Sequence, residues 1–270
     1  MAHIKKRRLG KTGLMVTELG LGAMDTPQVK EGGETLNLAL DLGINFLDTA
    51  RIYQGSEALI GEVISARGGK SFYIASKTIN RTRDGSQYDV DRSLKLLGVD
   101  RIDLYQLDDV LPEEWDRLMA EGGAYEGLLI ARERGLIDHI GITSHSLEVV
   151  EKAIACDAFE TVMLEYSAFY RDAEKLIPLA RAQDIGVIVM RPLGGSGRTS
   201  SLRTRMAAGQ ASLTPTMLLR YVLSNPDISV AIAGVRYPSR VRENVHLALT
   251  YDPLEEAKKR EYEREAQQLF

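Results

Sequence analysis

The sequence predicts an α/β fold: a parallel (β/α)8 TIM barrel preceded by an N-terminal β-hairpin. Short apolar runs alternate along the chain with longer amphipathic segments, the pattern of parallel strands joined by crossover helices. Most of the runs are continuously apolar, as strands buried on both faces are. The chain has 270 residues, close to the roughly 250 typical of such a barrel. We therefore expect one domain spanning residues 1–270.

The hairpin is predicted at the start of the chain. Residues 7–10 and 14–18 form two short β-rich runs joined through Lys11, Thr12 and Gly13. Glycine adopts positive φ without steric cost, which suits a tight turn. The predicted barrel strands then follow at residues 19–22, 44–48, 72–77, 102–107, 137–142, 161–165, 186–190 and 229–233.

Helices are predicted between these strands from their boundary residues. Residues 34–42 and 91–97 end before Gly43 and Gly98, which are typical glycines after a helix. Ser146 and Thr214 are expected N-caps for helices at 147–155 and 217–223, and a terminal surface helix is expected after Pro253. The alternative, a doubly wound Rossmann sheet, requires a third glycine after Gly-Leu-Gly at 20–22 that this chain lacks.

Composition excludes several classes of protein. Hydrophobic residues make up 44% and charged residues 27% of the chain, a globular mixture. No run approaches the roughly 18 apolar residues of a membrane span, and the basic start lacks the apolar region of a signal peptide. A net charge of −4 gives no electrostatic case for nucleic-acid binding, and one cysteine excludes an internal disulfide or a cysteine cluster for metal. We expect a cytoplasmic location; the oligomeric state cannot be deduced.

Ionisable residues end three neighbouring predicted strands. Asp48 ends the second strand, Tyr53 follows it in the loop, Lys77 ends the third and Asp108 follows the fourth. Each alone has an ordinary explanation, such as a helix cap, a core tyrosine or a strand leaving the core. Together they are more specific, because the carboxyl ends of barrel strands form one face where chemistry takes place. No metal site is predicted.

This set suits acid catalysis. A tyrosine, with an ordinary pKa of about 10, is a poor acid at neutral pH. We expect the Lys77 ammonium to lower the pKa of Tyr53, and Asp48 to keep Lys77 charged and in place. Tyr53 could then donate a proton to a carbonyl oxygen as negative charge develops there.

The motifs resemble those of the aldo-keto reductase family over nearly the whole chain. The most specific are Asn-Phe-Leu-Asp-Thr-Ala at 45–50 with Tyr53 downstream, Ile-Thr-Ser-His at 142–145, and Ala-Gly-Val-Arg-Tyr-Pro at 233–238 before Glu243 and Asn244. The resemblance implies a barrel that transfers a hydride between NAD(P)H and a small-molecule carbonyl, with an Asp–Tyr–Lys–His tetrad. Asp48, Tyr53 and Lys77 match three positions, with Tyr53 as the general acid.

The fourth tetrad position holds Asp108 where the family has histidine. An ionised aspartate cannot donate a hydrogen bond and would repel an oxyanion, whereas a protonated, buried one could donate. The family's steroid double-bond reductases carry a glutamate in this place. Enone reduction is therefore one hypothesis beside a carbonyl reductase with altered pH dependence, a sugar-type dehydrogenase, a damaged or engineered site, and a weakly catalytic, nucleotide-binding regulatory barrel.

The resemblance also implies cofactor contacts. Ser144 and His145 correspond to the site of the nicotinamide carboxamide, and Met163 stands where the family usually has a glutamine. Arg236 and Arg240 suit a 2′-phosphate, which favours NADPH and leaves NADH possible. The full set expected to bind cofactor is Gly22, Met24, Asp48, Ser144, His145, Met190, Arg191, Leu193, Gly195, Gly234, Arg236, Arg240, Glu243 and Asn244.

Overall fold

A computed structural model describes residues 3–209 and 211–269. The chain begins with an antiparallel hairpin of β1 (Lys6–Arg8) and β2 (Met15–Thr17). Gly13 in the connecting turn has a φ of +73°, as the predicted turn requires. The hairpin prediction is confirmed, with strands slightly shorter than expected.

Eight parallel strands close into a barrel, and their order around the ring follows the chain until the last strand pairs with the first. They are β3 (Leu19–Gly22), β4 (Phe46–Asp48), β5 (Tyr73–Thr78), β6 (Ile102–Leu107), β7 (Ile137–Thr143), β8 (Thr161–Glu165), β9 (Gly186–Met190) and β10 (Val230–Gly234). All eight predicted strands are confirmed. β4 begins later than predicted because the Asn45 side chain is bound to the hairpin, accepting from Thr17 N at 2.6 Å and donating to the Met15 carbonyl at 2.9 Å.

Helices surround the barrel in the predicted alternation. They are α1 (Gly32–Asp41), α2 (Ser56–Ala66), α3 (Arg83–Leu97), α4 (Trp115–Met119), α5 (Ala124–Glu133), α6 (Leu147–Ala155), α7 (Ile177–Ala182), α8 (Ser196–Ala207), α9 (Pro215–Leu223), α10 (Pro238–Thr250) and α11 (Glu256–Leu269).

The start of α3 and the cap of α6 differ from the sequence prediction. α3 begins well before residue 91, because the Thr82 hydroxyl caps it by accepting from Gly85 N at 3.3 Å. Ser146 does not cap α6 through its side chain; its backbone N–H instead donates to the Ser144 hydroxyl at 2.9 Å. Thr214 caps α9 as expected, accepting from Met217 N at 3.1 Å.

The barrel interior is filled by apolar side chains from most of its strands. One buried cluster consists of Leu9, Val16, Phe46, Ala75, Leu104, Met163, Ile188, Val230 and Ile232. Leu9 comes from the hairpin and is fully buried against Gly186, at the amino-terminal end of β9. The hairpin therefore plugs the amino-terminal end of the barrel, and a site open to substrate has to lie at the carboxyl ends of the strands.

Candidate active site

The structure brings the four predicted catalytic residues to the carboxyl end of the barrel. Asp48 is the last residue of β4, Lys77 lies near the end of β5 and Asp108 directly follows β6. These three strands are neighbours in the barrel. Tyr53 lies in the loop between β4 and α2. Three adjacent strands and one loop thus supply a single cluster of ionisable side chains.

Lys77 and Asp48 form a buried ion pair at the centre of this cluster. Lys77 Nζ donates to Asp48 Oδ1 at 2.7 Å and to the Thr49 carbonyl at 2.7 Å, and the lysine is only 1% exposed. Burial opposes the charge of Lys77, but Asp48 first, and then Tyr53 and Asp108, raise its pKa above the ordinary value. Because Lys77 remains charged, the facing Asp48 carboxylate is needed to balance it.

Burial also raises the pKa of Asp48, and Lys77 offsets only part of this effect. One carboxylate oxygen of Asp48, Oδ2, is buried and has no hydrogen-bond partner among the described residues. Asp48 is therefore held on one side by Lys77 and is unsatisfied on the other.

Tyr53 lies against the ammonium of Lys77, with Nζ 4.9 Å from the centre of its ring. Lys77 lowers the pKa of Tyr53 as expected, but the expected net lowering is wrong. Burial raises the pKa of Tyr53 above its ordinary value; Lys77 acts in the opposite direction, while Asp48 and Asp108 add to the increase. Two carboxylates and desolvation together outweigh one ammonium. Tyr53 is consequently a protonated but weak acid at neutral pH.

Asp108 is held at its side chain and at its backbone. Thr143 Oγ1 accepts from Asp109 N at 2.8 Å and donates to Asp108 Oδ1 at 2.8 Å. Arg81 Nη2 donates to the Asp108 carbonyl at 2.8 Å. Asp108 Oδ1 is thus an acceptor, and the carboxyl, which is 6% exposed, is held against β7.

The sequence analysis did not identify Thr143 as part of the site. Its predicted strand ended one residue earlier, at Ile142, whereas β7 extends to Thr143. A hydroxyl at the end of the strand next to Asp108 was the signal that could have identified it.

A second cluster, which was not predicted from the sequence, anchors the loop that carries Tyr53. Arg51 binds Glu57 and lies 3.7 Å from Asp89, and both carboxylates are largely buried. Ser76 Oγ donates to the other oxygen of Glu57 at 2.6 Å. Arg51 N donates to the Lys77 carbonyl at 3.0 Å. The loop is therefore tied to β5 by buried charges only two residues before Tyr53.

The predicted nicotinamide contacts lie at the ends of β7, β8 and β9. Ser144 Oγ donates to the Val110 carbonyl at 2.7 Å, so this hydroxyl holds the β6 loop. His145 Nδ1 lies 3.1 Å from Glu165 Oε2, and Arg191 Nη1 donates to the same oxygen at 3.3 Å. Glu165, at the end of β8, was not among the predicted residues. Its carboxylate joins His145 and Arg191, which were both among the predicted residues.

The loop after β9 is shaped for close approach by a ligand. Arg191, Gly194 and Gly195 have positive φ values of 50°, 83° and 85°. At Gly194 a Cβ would lie 2.4 Å from the Phe169 ring, so only glycine fits there. Met190 and Leu193 are partly buried beside this loop. Met163 is buried inside the barrel at 3% exposure, so the glutamine amide expected at this position is absent.

The predicted adenosine contacts lie around the last strand. Gly22 and Gly234 are paired across β3 and β10, and a Cβ at Gly234 would meet no atom within 4 Å. Asn244 is buried at the edge of a small cavity. Met24 is 47% exposed in the loop after β3.

Both arginines predicted to bind a 2′-phosphate are paired with carboxylates. Arg236 Nη2 donates to Asp25 at 3.1 Å, and Arg240 Nη1 donates to Glu243 at 2.9 Å. Arg203 also donates to Glu243, at 3.2 Å. Three guanidinium groups therefore face two carboxylates, which leaves a positive balance at this outer edge.

The predicted cofactor residues fit a dinucleotide. They extend from the ends of β7 and β9 to β10 and β3, the side of the ring that adjoins the Asp48 cluster on β4. The open space at Gly234 provides room for a ligand. The left-handed glycines after β9 allow a ligand to approach the backbone closely, and the outer guanidinium groups supply positive charge.

The described residues also bear on membrane insertion and metal binding. Across residues 3–209 and 211–269, no helix has the length and apolar character needed to cross a membrane. Within the same residues, no three His, Cys, Asp or Glu side chains are grouped as a metal site.

Comparison with known proteins places this site in a family. Residues 18–215 match the model of the Aldo/keto reductase family. The chain is 28% identical to "Uncharacterized oxidoreductase YqkF" of Bacillus subtilis, over 91% of each sequence. It is 29% identical to "Probable aldo-keto reductase 1" of Glycine max, over 72% of this chain and 60% of that protein.

A solved structure gives the same result. The holo form of aldo-keto reductase AKR11C1 from Bacillus halodurans superimposes with a TM-score of 0.81 and 26% identity, covering 99% of this chain and 96% of that one. The barrel, the strand-end cluster and the sequence matches lead to one conclusion. The chain is an oxidoreductase that belongs to the Aldo/keto reductase family.

Proposed function

We propose that this chain is an NADPH-dependent reductase that transfers a hydride to the carbonyl of a small aldehyde or ketone, with Tyr53 as the general acid. NADH is a possible second cofactor. The observation that carries the proposal is the buried Lys77–Asp48 ion pair beneath the Tyr53 ring. A fully buried lysine is costly unless its charge is used or balanced, and here that charge lies where a phenolate would form.

The protein residues divide the work of proton transfer. The bound cofactor supplies the hydride. The Tyr53 hydroxyl gives its proton to the carbonyl oxygen as that oxygen gains negative charge, and Lys77 stabilises the phenolate left behind. Asp48 keeps Lys77 charged and directs its Nζ. Arg51 fixes the backbone of the loop from which Tyr53 reaches the substrate.

The proposed preference for NADPH rests on the outer edge of the site. Among the described residues, Arg203, Arg236 and Arg240 form ion pairs with Asp25 and Glu243. A guanidinium binds phosphate through parallel hydrogen bonds, and a 2′-phosphate would neutralise the excess positive charge. A 2′-hydroxyl gains no such interaction.

A second reaction is favoured by Asp108. It is a nearly buried carboxyl where the family's tetrad has histidine, and enone reductases of the family carry an acid there. A protonated Asp108 could donate to the enone oxygen while hydride adds to the C=C bond. We keep reduction of enones as the alternative.

We also propose that residues 1–270 form one domain. Arg7 in the hairpin donates to the carbonyls of Asn225 at 2.7 Å and Leu223 at 2.6 Å, and to Glu18 at 2.6 Å. The first strand of the chain is thereby bound to the end of α9, to the segment after α9 and to the residue that precedes the first barrel strand. Limited proteolysis that yields one resistant core would agree with this proposal, and two separable fragments would contradict it.

Consumption of NADPH tests the proposed activity. Aldehydes, ketones and enones are offered in turn to the wild-type enzyme, to Tyr53→Phe and to Tyr88→Phe, which changes an exposed tyrosine outside the site. We expect turnover by wild type and Tyr88→Phe, and a loss of at least about 10²-fold in Tyr53→Phe. Full turnover by Tyr53→Phe would refute its role as the acid.

The same experiment separates the remaining classes of function. Turnover of enones alone would favour the alternative. Binding of NADPH, measured by fluorescence, without turnover of any substrate would indicate a nucleotide-binding regulatory barrel. A protein that binds neither NADPH nor NADH would contradict all three readings.

A further inference from the structure

The row of barrel-interior residues that begins with Lys77 also contains two polar side chains that the proposed mechanism does not use. Lys77 on β5 is paired in register with Gln106 on β6, Gln106 with Gly141 on β7, and Gly141 with Thr161 on β8. Alternate residues along a strand point to the same face, so a row in register places these residues side by side on the inner wall of the barrel. The Lys77 end of this row meets Asp48.

Gln106 is the unexplained member of the row. It is fully buried at 0% exposure, and neither its amide nitrogen nor its amide oxygen has a hydrogen-bond partner among the described residues. A buried amide without a partner destabilises the fold, because its hydrogen bonds to water are lost and not replaced. A leucine would fill a similar volume in the apolar cluster without that cost, so the amide indicates a polar partner.

Asp48 offers such a partner. Its Oδ1 is taken by Lys77, but its Oδ2 is buried and likewise lacks a partner in the described part of the chain. Asp48 and Gln106 lie on β4 and β6, the two strands that flank Lys77 on β5. The amide of Gln106 lowers the pKa of Asp48, against the larger effect of burial.

Gly141 leaves the room that this arrangement needs. A Cβ at Gly141 would lie 3.1 Å from Gln106 Cγ and 2.1 Å from Thr161 Oγ1. The absence of a side chain there allows Gln106 to extend across the interior. Thr161 Oγ1 is also buried, with no hydrogen-bond partner in residues 3–209 and 211–269, which makes it the competing partner for the amide.

We propose that Gln106 is a positioning residue, whose amide N–H donates to Asp48 Oδ2 directly or through one buried water and so holds the carboxylate ionised and turned toward Lys77. This inference rests on the proposed function for its catalytic meaning, because Asp48 acts there through Lys77. The hydrogen bond itself does not depend on the reaction.

The charged groups that face Asp48 set the expected direction. They are Lys77 on β5, Tyr53 in the loop after β4 and Asp108 after β6; the other neighbouring strand, β3, carries no ionisable residue. Burial and Asp108 raise the pKa of Asp48, and without the amide of Gln106 only Lys77 lowers it. Asp48 should then take up a proton at higher pH than in the wild type.

The test follows the carboxyl carbon of Asp48 by NMR as pH is varied, with the signal identified by its loss in Asp48→Asn. The proteins compared are wild type, Gln106→Met, Gln106→Leu and the matched control Thr161→Val, which removes the other unpartnered group of the row. We expect the midpoint of Asp48 to move to higher pH in both Gln106 variants and to stay in place in Thr161→Val. An unmoved midpoint in a folded Gln106 variant, or an equal movement in Thr161→Val, would overturn the proposal.

Kinetics supply a second readout. The acid limb of kcat should move to higher pH in the Gln106 variants, with a loss of roughly tenfold at acid pH, the scale of one hydrogen bond to a charged group. General damage to the core would lower the rate at every pH and leave the limb in place, which would count against a positioning role. If the wild type has no reductase activity, the proposed function fails while the NMR titration still decides the hydrogen bond.

Discussion

Replacement of Asp108 by asparagine should increase carbonyl reduction. Asparagine is isosteric with aspartate, and its Oδ1 can keep the 2.8 Å hydrogen bond from Thr143. The change removes a negative charge from the site and puts an N–H donor in place of Oδ2. One preorganised donor to a developing oxyanion is worth about 10²–10³ in kcat. Because the site is shaped for a carboxylate, asparagine should supply only part of this stabilisation, and we expect kcat for carbonyl reduction to rise about tenfold or more.

The same substitution should change the pH dependence. Reduction requires protonated Tyr53, so the rate falls as pH rises through the pKa of this tyrosine. Asp108 contributes to raising that pKa. Loss of its charge should therefore move the alkaline limb of kcat to lower pH, while burial and Asp48 remain as before.

The assay measures NADPH oxidation with aldehydes and ketones across the alkaline range. Asp109→Asn is the matched control, since it removes a neighbouring charge at a residue with a φ of +45°, which asparagine tolerates. Its backbone N–H still donates to Thr143. An unchanged rate together with an unchanged alkaline limb in Asp108→Asn would refute the view that this carboxylate limits carbonyl reduction.

Two further predictions concern the loop of the site and its cofactor. Arg51→Met leaves the buried Glu57 without its cation and should lower the free energy of unfolding by about 3–5 kcal/mol. The control Arg67→Met breaks an exposed pair and should cost less than about 1 kcal/mol; equal effects in denaturant titrations would contradict the ranking. Arg236→Gln and Arg240→Gln should each weaken NADPH binding by about tenfold and leave NADH unchanged. Equal loss for both cofactors, measured by fluorescence titration, would exclude a 2′-phosphate contact.

The barrel could be predicted because its strands are local features of the sequence. Each is a short, continuously apolar run, and such a run is typical of a parallel strand buried on both faces. The start of α3 could not be found in this way. Residues 83–90 are mostly polar and lack helical periodicity, and the helix there is set by the Thr82 cap and by packing against α5.

The residue types of the site could also be predicted, but not all of its interactions. Asp48, Tyr53 and Lys77 stand in motifs with fixed spacing. The contact of Thr143 with Asp108 and the proposed contact of Gln106 with Asp48 join different strands, so no single local motif contains them. The predicted direction of the net pKa shift of Tyr53 is wrong because burial is its largest cause. The burial of a side chain depends on the tertiary structure and not on the local sequence.

The charge balance of the site decides between the remaining reactions. Lys77 is the cation that touches Asp48 and the Tyr53 ring, and Asp48 and Asp108 are two carboxylates that oppose it. With both ionised, the cluster carries a negative charge where carbonyl reduction creates an oxyanion, which slows that direction. With Asp108 protonated, the cluster is neutral and gains a donor, which suits enone reduction. Asp108→Leu removes both the charge and any donor at this position, so enone reduction that uses Asp108 as a donor should be lost in this variant. An enone rate in Asp108→Leu equal to that of the wild type would leave the carboxyl without a role as donor.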